Sequence, residues 1–232
     1  MVQKVVLLPG LDGTGALFGE FVKPLPRTVE GTIVSYPAGL ELSYAELMPI
    51  IGAAAPITDP YVLLAESFST PLAIQFAATR PPNLRGLILC AGFASSPATG
   101  LRRLAGRLFA PILFRLPLPG FAKSFWLVGP GAPPSLHHAI RAALSTVPPE
   151  VLSARLRAVL HCDVRHDLSK ITVPILVLQA GSDRLVPASS AEEMLLIRPD
   201  ATLKTIDGPH LLIQREPRMA AAAVMEFIDS LN

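Results

Sequence analysis

The stretch Tyr61-Val62-Leu63-Leu64-Ala65-Glu66-Ser67-Phe68-Ser69-Thr70 decides the fold. An apolar run leads into a serine with small residues on either side, at Ala65 and Ser69, and a helical pattern starts directly afterwards. A buried strand that delivers a serine into a sharp turn and then becomes a helix is a nucleophile elbow. It holds the hydroxyl clear of the sheet edge, where a substrate can reach it. The usual pattern is Gly-x-Ser-x-Gly. Here Ala65 and Ser69 stand in place of both glycines, small enough for strand and helix to pass closely. By itself the motif fits equally a serine that only caps the following helix.

Outward from the elbow, short runs rich in Val, Ile and Leu recur at 4–8, 32–36, 61–66, 86–91, 174–180 and 201–206. Such runs, bounded by turn residues, predict strands covered on both faces. Helical patterns fall between them at 43–55, 70–80, 188–198 and 217–231, the last opening on Pro217 in its first turn. Alternating β and α elements predict a parallel, doubly wound sheet. One interval, from about Ala94 to Arg165, breaks the alternation. It holds many prolines, no convincing strand, and helical pieces at 101–116, 135–144 and 150–160, with Pro111 set to kink the first. The expected organisation is an α/β core of residues 1–93 and 166–232 with a helical cap, 94–165, inserted between two strands.

Composition narrows the function classes. Of 232 residues, half are hydrophobic and 16% charged, enough for one large α/β core, and a net charge of +2 gives no reason to expect nucleic acid as a partner. The two cysteines, Cys90 and Cys162, lack metal-ligand spacing and read as reduced, buried small hydrophobes. Met1-Val2-Gln3-Lys4 runs straight into a short strand closed by Pro9-Gly10, too short for a signal-peptide core. A cytoplasmic protein is expected. Arg102, Arg103 and Arg107 among leucines leave a membrane-surface helix as an open but disfavoured reading.

Two further residues bear on Ser67. Ile175 to Ala180 is an apolar strand followed by Gly181-Ser182-Asp183, and a strand at 202–206 is followed by Asp207-Gly208-Pro209-His210. Loops at the carboxyl ends of parallel strands gather at one edge of the sheet. Ser67, Asp183 and His210 are therefore expected to converge, in the chain order Ser, Asp, His. His210 would take the serine proton, and Asp183 would fix the imidazole tautomer. The glycine-rich loop Pro9-Gly10-Leu11-Asp12-Gly13-Thr14-Gly15 can turn a backbone N–H towards a reacting carbonyl oxygen, paired with the N–H of Phe68 in an oxyanion hole. It is not a phosphate loop, because neither Gly-x-Gly-x-x-Gly spacing nor a following Lys-Ser/Thr is present. Glu66 reads as a buried polar residue that orders the site, and without a paired carboxylate it is no glycosidase acid. Asp163 reads as a structural helix-end residue. His137, His138, His161 and His166 carry no metal-ligand spacing.

On these residues the chain resembles the α/β-hydrolase superfamily over nearly its whole length. The motifs are Pro9-Gly10, the elbow at Ser67, Gly181-Ser182-Asp183-Arg184-Leu185-Val186-Pro187 and Gly208-Pro209-His210. The carboxyl-terminal third looks like small cytosolic carboxylesterases of the pimeloyl-carrier-protein methyl ester esterase type. The resemblance implies a Ser67–His210–Asp183 triad with Leu11 and Phe68 as oxyanion donors, Leu11 being the residue after the family's His-Gly pair, here Pro9-Gly10. Pro9 in place of that histidine implies a different support for the loop. The first strand matches the family's third, so about six strands are expected. The implied activity is hydrolysis of small or medium acyl esters without metal or organic cofactor, the cap's apolar residues between Leu104 and Trp126 either walling an acyl pocket or forming the cap's own core. The oxyanion loop is also similar to that of some lipid acyltransferases, which leaves acyl transfer to an alcohol as the alternative, ahead of a non-catalytic binding protein on the same fold.

Overall fold

A computed structural model describes residues 3–98 and 127–231 of the chain. Six strands form one all-parallel sheet: β1 (Gln3–Leu8), β2 (Val29–Ile33), β3 (Tyr61–Glu66), β4 (Leu84–Cys90), β5 (Ile175–Ala180) and β6 (Thr202–Ile206), in the spatial order β2-β1-β3-β4-β5-β6. The helices are α1 (Gly19–Val22), α2 (Tyr44–Ala54), α3 (Ser69–Ala78), α4 (Pro134–Ser145), α5 (Pro149–His161), α6 (Arg165–Leu168), α7 (Ala188–Ile197), α8 (Leu212–Arg215) and α9 (Pro217–Ser230). The expected doubly wound α/β class holds. The chain-reversal point, where β1 lies between β2 and β3, sets the loop after β1 beside the elbow after β3.

Strand alternation builds two cores. Val6, Leu8, Leu63, Ala65, Leu87, Leu89 and Val177 face α2, α3, α6 and α7, meeting Ile51, Leu72, Phe76, Leu168 and Met194. The intervening residues Val5, Leu7, Leu64, Ile88, Cys90 and Leu178 face α1, α8 and α9, meeting Phe21, Ile213, Val224 and Phe227. Both faces of the central strands are covered, which is why they read as continuous apolar runs. Ser43 starts α2 with a capping box: its hydroxyl accepts from the Glu46 amide, and the Glu46 carboxylate accepts from the Ser43 amide at 2.8 Å.

The second strand differs from its expected place, lying at Val29–Ile33 rather than 32–36. The apolar residues behind that expectation, Val34 and Tyr36, are buried but lie beyond the ladder. The Val34 amide donates to the Leu7 carbonyl, the last rung. The next rung of a parallel ladder needs an N–H at position 9, and Pro9 has none. Pairing therefore stops there, and the chain carries Tyr36 across the carboxyl edge of the sheet.

The interval between β4 and β5 is closed at its base. Ser95 bridges Asp163 in antiparallel fashion, the Val164 amide donates to Ala94 O at 2.8 Å, and the Ser96 amide donates to Cys162 O at 3.1 Å. Within it, α4 and α5 occupy the positions the sequence predicts. Val128, Leu136 and Ile140 pack with Leu211, while Val147, Val151 and Leu152 pack with Leu11. The helical piece expected at 101–116, its arginines, and the apolar residues between Leu104 and Trp126 lie outside the described residues. Among the described residues, no helix is long and apolar enough to cross a membrane.

Candidate active site

Ser67 sits in the turn between β3 and α3 with φ of 49°, a left-handed conformation that a non-glycine residue rarely adopts. Three bonds hold it there. Its amide donates to Cys90 O at 2.9 Å, and its carbonyl accepts from the Thr70 amide at 2.9 Å and the Thr70 hydroxyl at 2.8 Å. Ala65 fills its place in the sheet with no exposure. Ser69 does more than substitute for a small residue. Its hydroxyl is fully buried and donates to the Pro9 carbonyl, so Tyr36 OH, 2.6 Å away, donates in turn to Ser69 Oγ. A glycine at 69 would pack but would leave those groups unpaired. Tyr44 OH donates to Phe68 O at 2.9 Å, and the Phe68 ring lies 6.2 Å from the Tyr36 ring and 5.0 Å from the Tyr44 ring. Tyr36 and Tyr44 thus hold the turn through Ser69 and Phe68.

The loops after β5 and β6 bring Asp183 and His210 to Ser67. Ser67 Oγ lies 2.8 Å from His210 Nε2, and His210 Nδ1 lies 2.7 Å from Asp183 Oδ2. Asp183 Oδ1 accepts from the amides of Leu185 at 2.8 Å and Val186 at 2.9 Å. An ionised carboxylate only accepts, so His210 Nδ1 carries a proton, and in the neutral ring Nε2 is left to accept from the serine. The His210 and Asp183 side chains are 5% and 4% exposed, so water competes little for these bonds.

Leu11 and Phe68 start from adjacent positions. Leu8 and Ala65 are register partners in neighbouring strands, and each residue stands three positions beyond its partner. Neither amide donates to another described residue. The carbonyls from Pro9 to Gly13, by contrast, are all occupied. Pro9 O accepts from Ser69, Gly10 O from the Gly13 amide at 3.0 Å, and Gly13 O from the Tyr36 amide at 2.7 Å. Leu11 O and Asp12 O accept from Arg155 Nη1 at 3.0 and 2.6 Å. Arg155 Nη2 reaches Pro37 O at 3.3 Å, and its guanidinium lies over the Tyr36 ring, 5.8 Å from the centroid. Gly13 has φ of 68°, and a Cβ there would run into that guanidinium.

Next to Ser67, Glu66 is 2% exposed and accepts from Gln214 Nε2 at 3.2 Å, which ties β3 to the helix after His210. Burial pushes its carboxyl up to about 7; the Gln214 bond and His210 oppose the shift, and the Asp12 carboxylate adds to it. Among the described residues, Glu66 Oε1 and Gln214 Oε1 have no hydrogen-bond partner. Because the folded value lies above the usual 4.5, the stability contributed by the neutral acid is full below 4.5 and lost as the pH rises through about 7. Glu66→Gln keeps the shape and cannot ionise. Its stability relative to wild type is expected to rise between pH 4.5 and 7 and then level off, by roughly 3 kcal/mol in all. Urea denaturation at pH 5 and pH 8 measures the difference, and an advantage that does not grow with pH would contradict the buried neutral acid.

Other acids and histidines do other work. Asp163 accepts from the Arg165 amide at the start of α6 and pairs with its guanidinium at 2.6 Å, a helix-end role. His161 Nδ1 bonds Arg157 O, 2.7 Å away. Sequence reasoning missed Tyr36, Tyr44, Gln214 and Arg155. For Arg155 a signal existed: it falls on the α5 stripe of Val151, Leu152 and Val159, where an arginine is out of place.

A family model described as serine aminopeptidase, S33, matches residues 44–217. The chain is 29% identical over 205 residues to a pimeloyl-[acyl-carrier protein] methyl ester esterase of Neisseria meningitidis serogroup C, covering 82% of this chain and 79% of that protein. The fold matches that of a hydrolase from Oleispira antarctica with a TM-score of 0.83 at 15% identity, over 98% of this chain and 91% of that one. It also matches an esterase from Exiguobacterium antarcticum with a TM-score of 0.81 at 17% identity, over 98% and 92% of the two chains.

Proposed function

Because the chain belongs to the serine aminopeptidase S33 family of α/β hydrolases, we propose that it is a serine carboxylesterase acting on small or medium acyl esters through Ser67, His210 and Asp183. The observation that carries this reading is the unbroken line of hydrogen bonds from Ser67 Oγ through His210 to Asp183. In the first half-reaction His210 Nε2 takes the hydroxyl proton as Ser67 Oγ attacks the ester carbonyl. The amides of Leu11 and Phe68 stabilise the resulting oxyanion. His210 then gives the proton to the departing alcohol, leaving an acyl group on Ser67. Water, deprotonated by His210, attacks the acyl carbon and releases the acid. No step draws on a metal or an organic cofactor.

Residues 94–165 act in this reading as a cap over the site. Val147, Val151 and Leu152 stand beside Leu11 and give that side of the site an apolar character suited to an acyl chain. Two buried cysteines, Cys90 and Cys162, suit a reducing, cytoplasmic setting. The same apolar surroundings favour the second reading, in which an alcohol replaces water as acceptor. A panel of p-nitrophenyl esters from acetate to octanoate, run with and without a short alcohol, tests both. We expect saturable hydrolysis with a preferred acyl length and free acid as the main product. Ester as the main product in the presence of alcohol would favour transfer. No turnover of any ester would overturn the reading.

A further inference from the structure

We propose that Arg155, on α5 of the inserted segment, is a positioning residue that holds Leu11 of the oxyanion loop in its reactive orientation. The inference rests on the oxyanion role of Leu11 set out above. The Leu11 N–H lies in the peptide plane it shares with Gly10 O, and that plane keeps its direction only if the turn that closes on it is held. For Leu11 the preceding plane is pinned through Gly10 O by the Gly13 amide, a local turn. The following plane is pinned through Leu11 O by Arg155, which also takes Asp12 O and Pro37 O. Those three carbonyls turn towards α5, and the Leu11 amide is left without a partner among the described residues.

A stability role alone does not account for this side chain. Arg155 is 2% exposed and has no carboxylate within ion-pair distance among the described residues: its donors meet carbonyl oxygens, its face meets the Tyr36 ring, and the Asp12 carboxylate acts on it only from beyond contact. Burying a guanidinium on such terms is unfavourable, and a leucine or methionine would fill the same stripe with less desolvation. A rigid fork of donors does what an apolar residue cannot: it binds several carbonyls in one plane. Pro9 offers the loop no side-chain donor of its own, and the fork supplies donors from α5 instead. It also links the inserted segment to the oxyanion loop.

The test compares wild type, Arg155→Ala and Arg155→Lys on the best ester of the panel, well below each protein's melting temperature. Arg155→Ala is expected to lower kcat about 10- to 100-fold with KM changed less than threefold, below the 10²- to 10³-fold typical of deleting an oxyanion donor outright. Inhibition by an aryl trifluoromethyl ketone, which forms an oxyanion on the serine, should weaken by the same factor. Guanidinium at millimolar concentration should restore part of kcat in Arg155→Ala and none in wild type. Should the alanine variant fail to fold, Arg155→Lys, with one ammonium for three carbonyls, is expected at an intermediate kcat. Wild-type kcat in either folded variant, or a loss confined to KM, overturns the proposal. An inactive wild type would instead count against the esterase reading itself.

Discussion

Ser67→Ala is expected to lower ester turnover by roughly 10⁴- to 10⁶-fold without unfolding the protein. Among the described residues the hydroxyl is the only hydrogen-bond partner of His210 Nε2, 2.8 Å away, and no other hydrogen bond there depends on it. The turn itself is held by the Ser67 backbone through Cys90 and Thr70, and those bonds survive the substitution. Alanine also tolerates a φ of 49° about as well as serine does. What remains is oxyanion stabilisation and binding, so a small residual rate through water activated by His210 is expected. Two measurements decide it: p-nitrophenyl ester turnover beside a thermal melt, and labelling with a fluorophosphonate, which should mark wild type and not the variant. Turnover near the wild-type level would remove Ser67 from the mechanism.

Asp183→Asn is expected to cost about 10⁴-fold in kcat, nearly as much, although it replaces one atom. The carboxylate accepts from three donors: His210 Nδ1 on Oδ2, and the Leu185 and Val186 amides on Oδ1. An asparagine has one acceptor oxygen, and the two backbone amides that share Oδ1 retain it. Its NH₂ group then faces His210 Nδ1, which must become the acceptor. The ring proton moves to Nε2, and the histidine donates to Ser67 instead of accepting from it. Nitrogen NMR of the labelled imidazole should report this exchange of tautomer, and the melting temperature should change little. A loss of less than tenfold with the tautomer unchanged would show that Asp183 does not orient the ring.

The sheet and the three convergent residues were legible because they rest on local rules. Apolar runs of five to seven residues mark strands, and a parallel sheet places the turns after them at one edge. Asp183 and His210 each follow such a run, and Ser67 follows a third. Local rules misplaced β2 by about three residues, because Val34 and Tyr36 are apolar and buried yet lie past the point where Pro9 ends the ladder. They also undervalued Ser69, whose size is visible in the sequence and whose bond to Pro9 is not.

By itself the sequence determined the order of elements, the elbow, and the chain order of Ser67, Asp183 and His210, since each depends on residues within one strand and its following turn. Tertiary structure alone decided how the loop after β1 is held. Its carbonyls are bound by Ser69, by the amide of Tyr36 and by Arg155, the last lying 143 residues from Asp12 along the chain. Such bonds depend on distance and direction in three dimensions, and neither is encoded in the residues on either side of the loop.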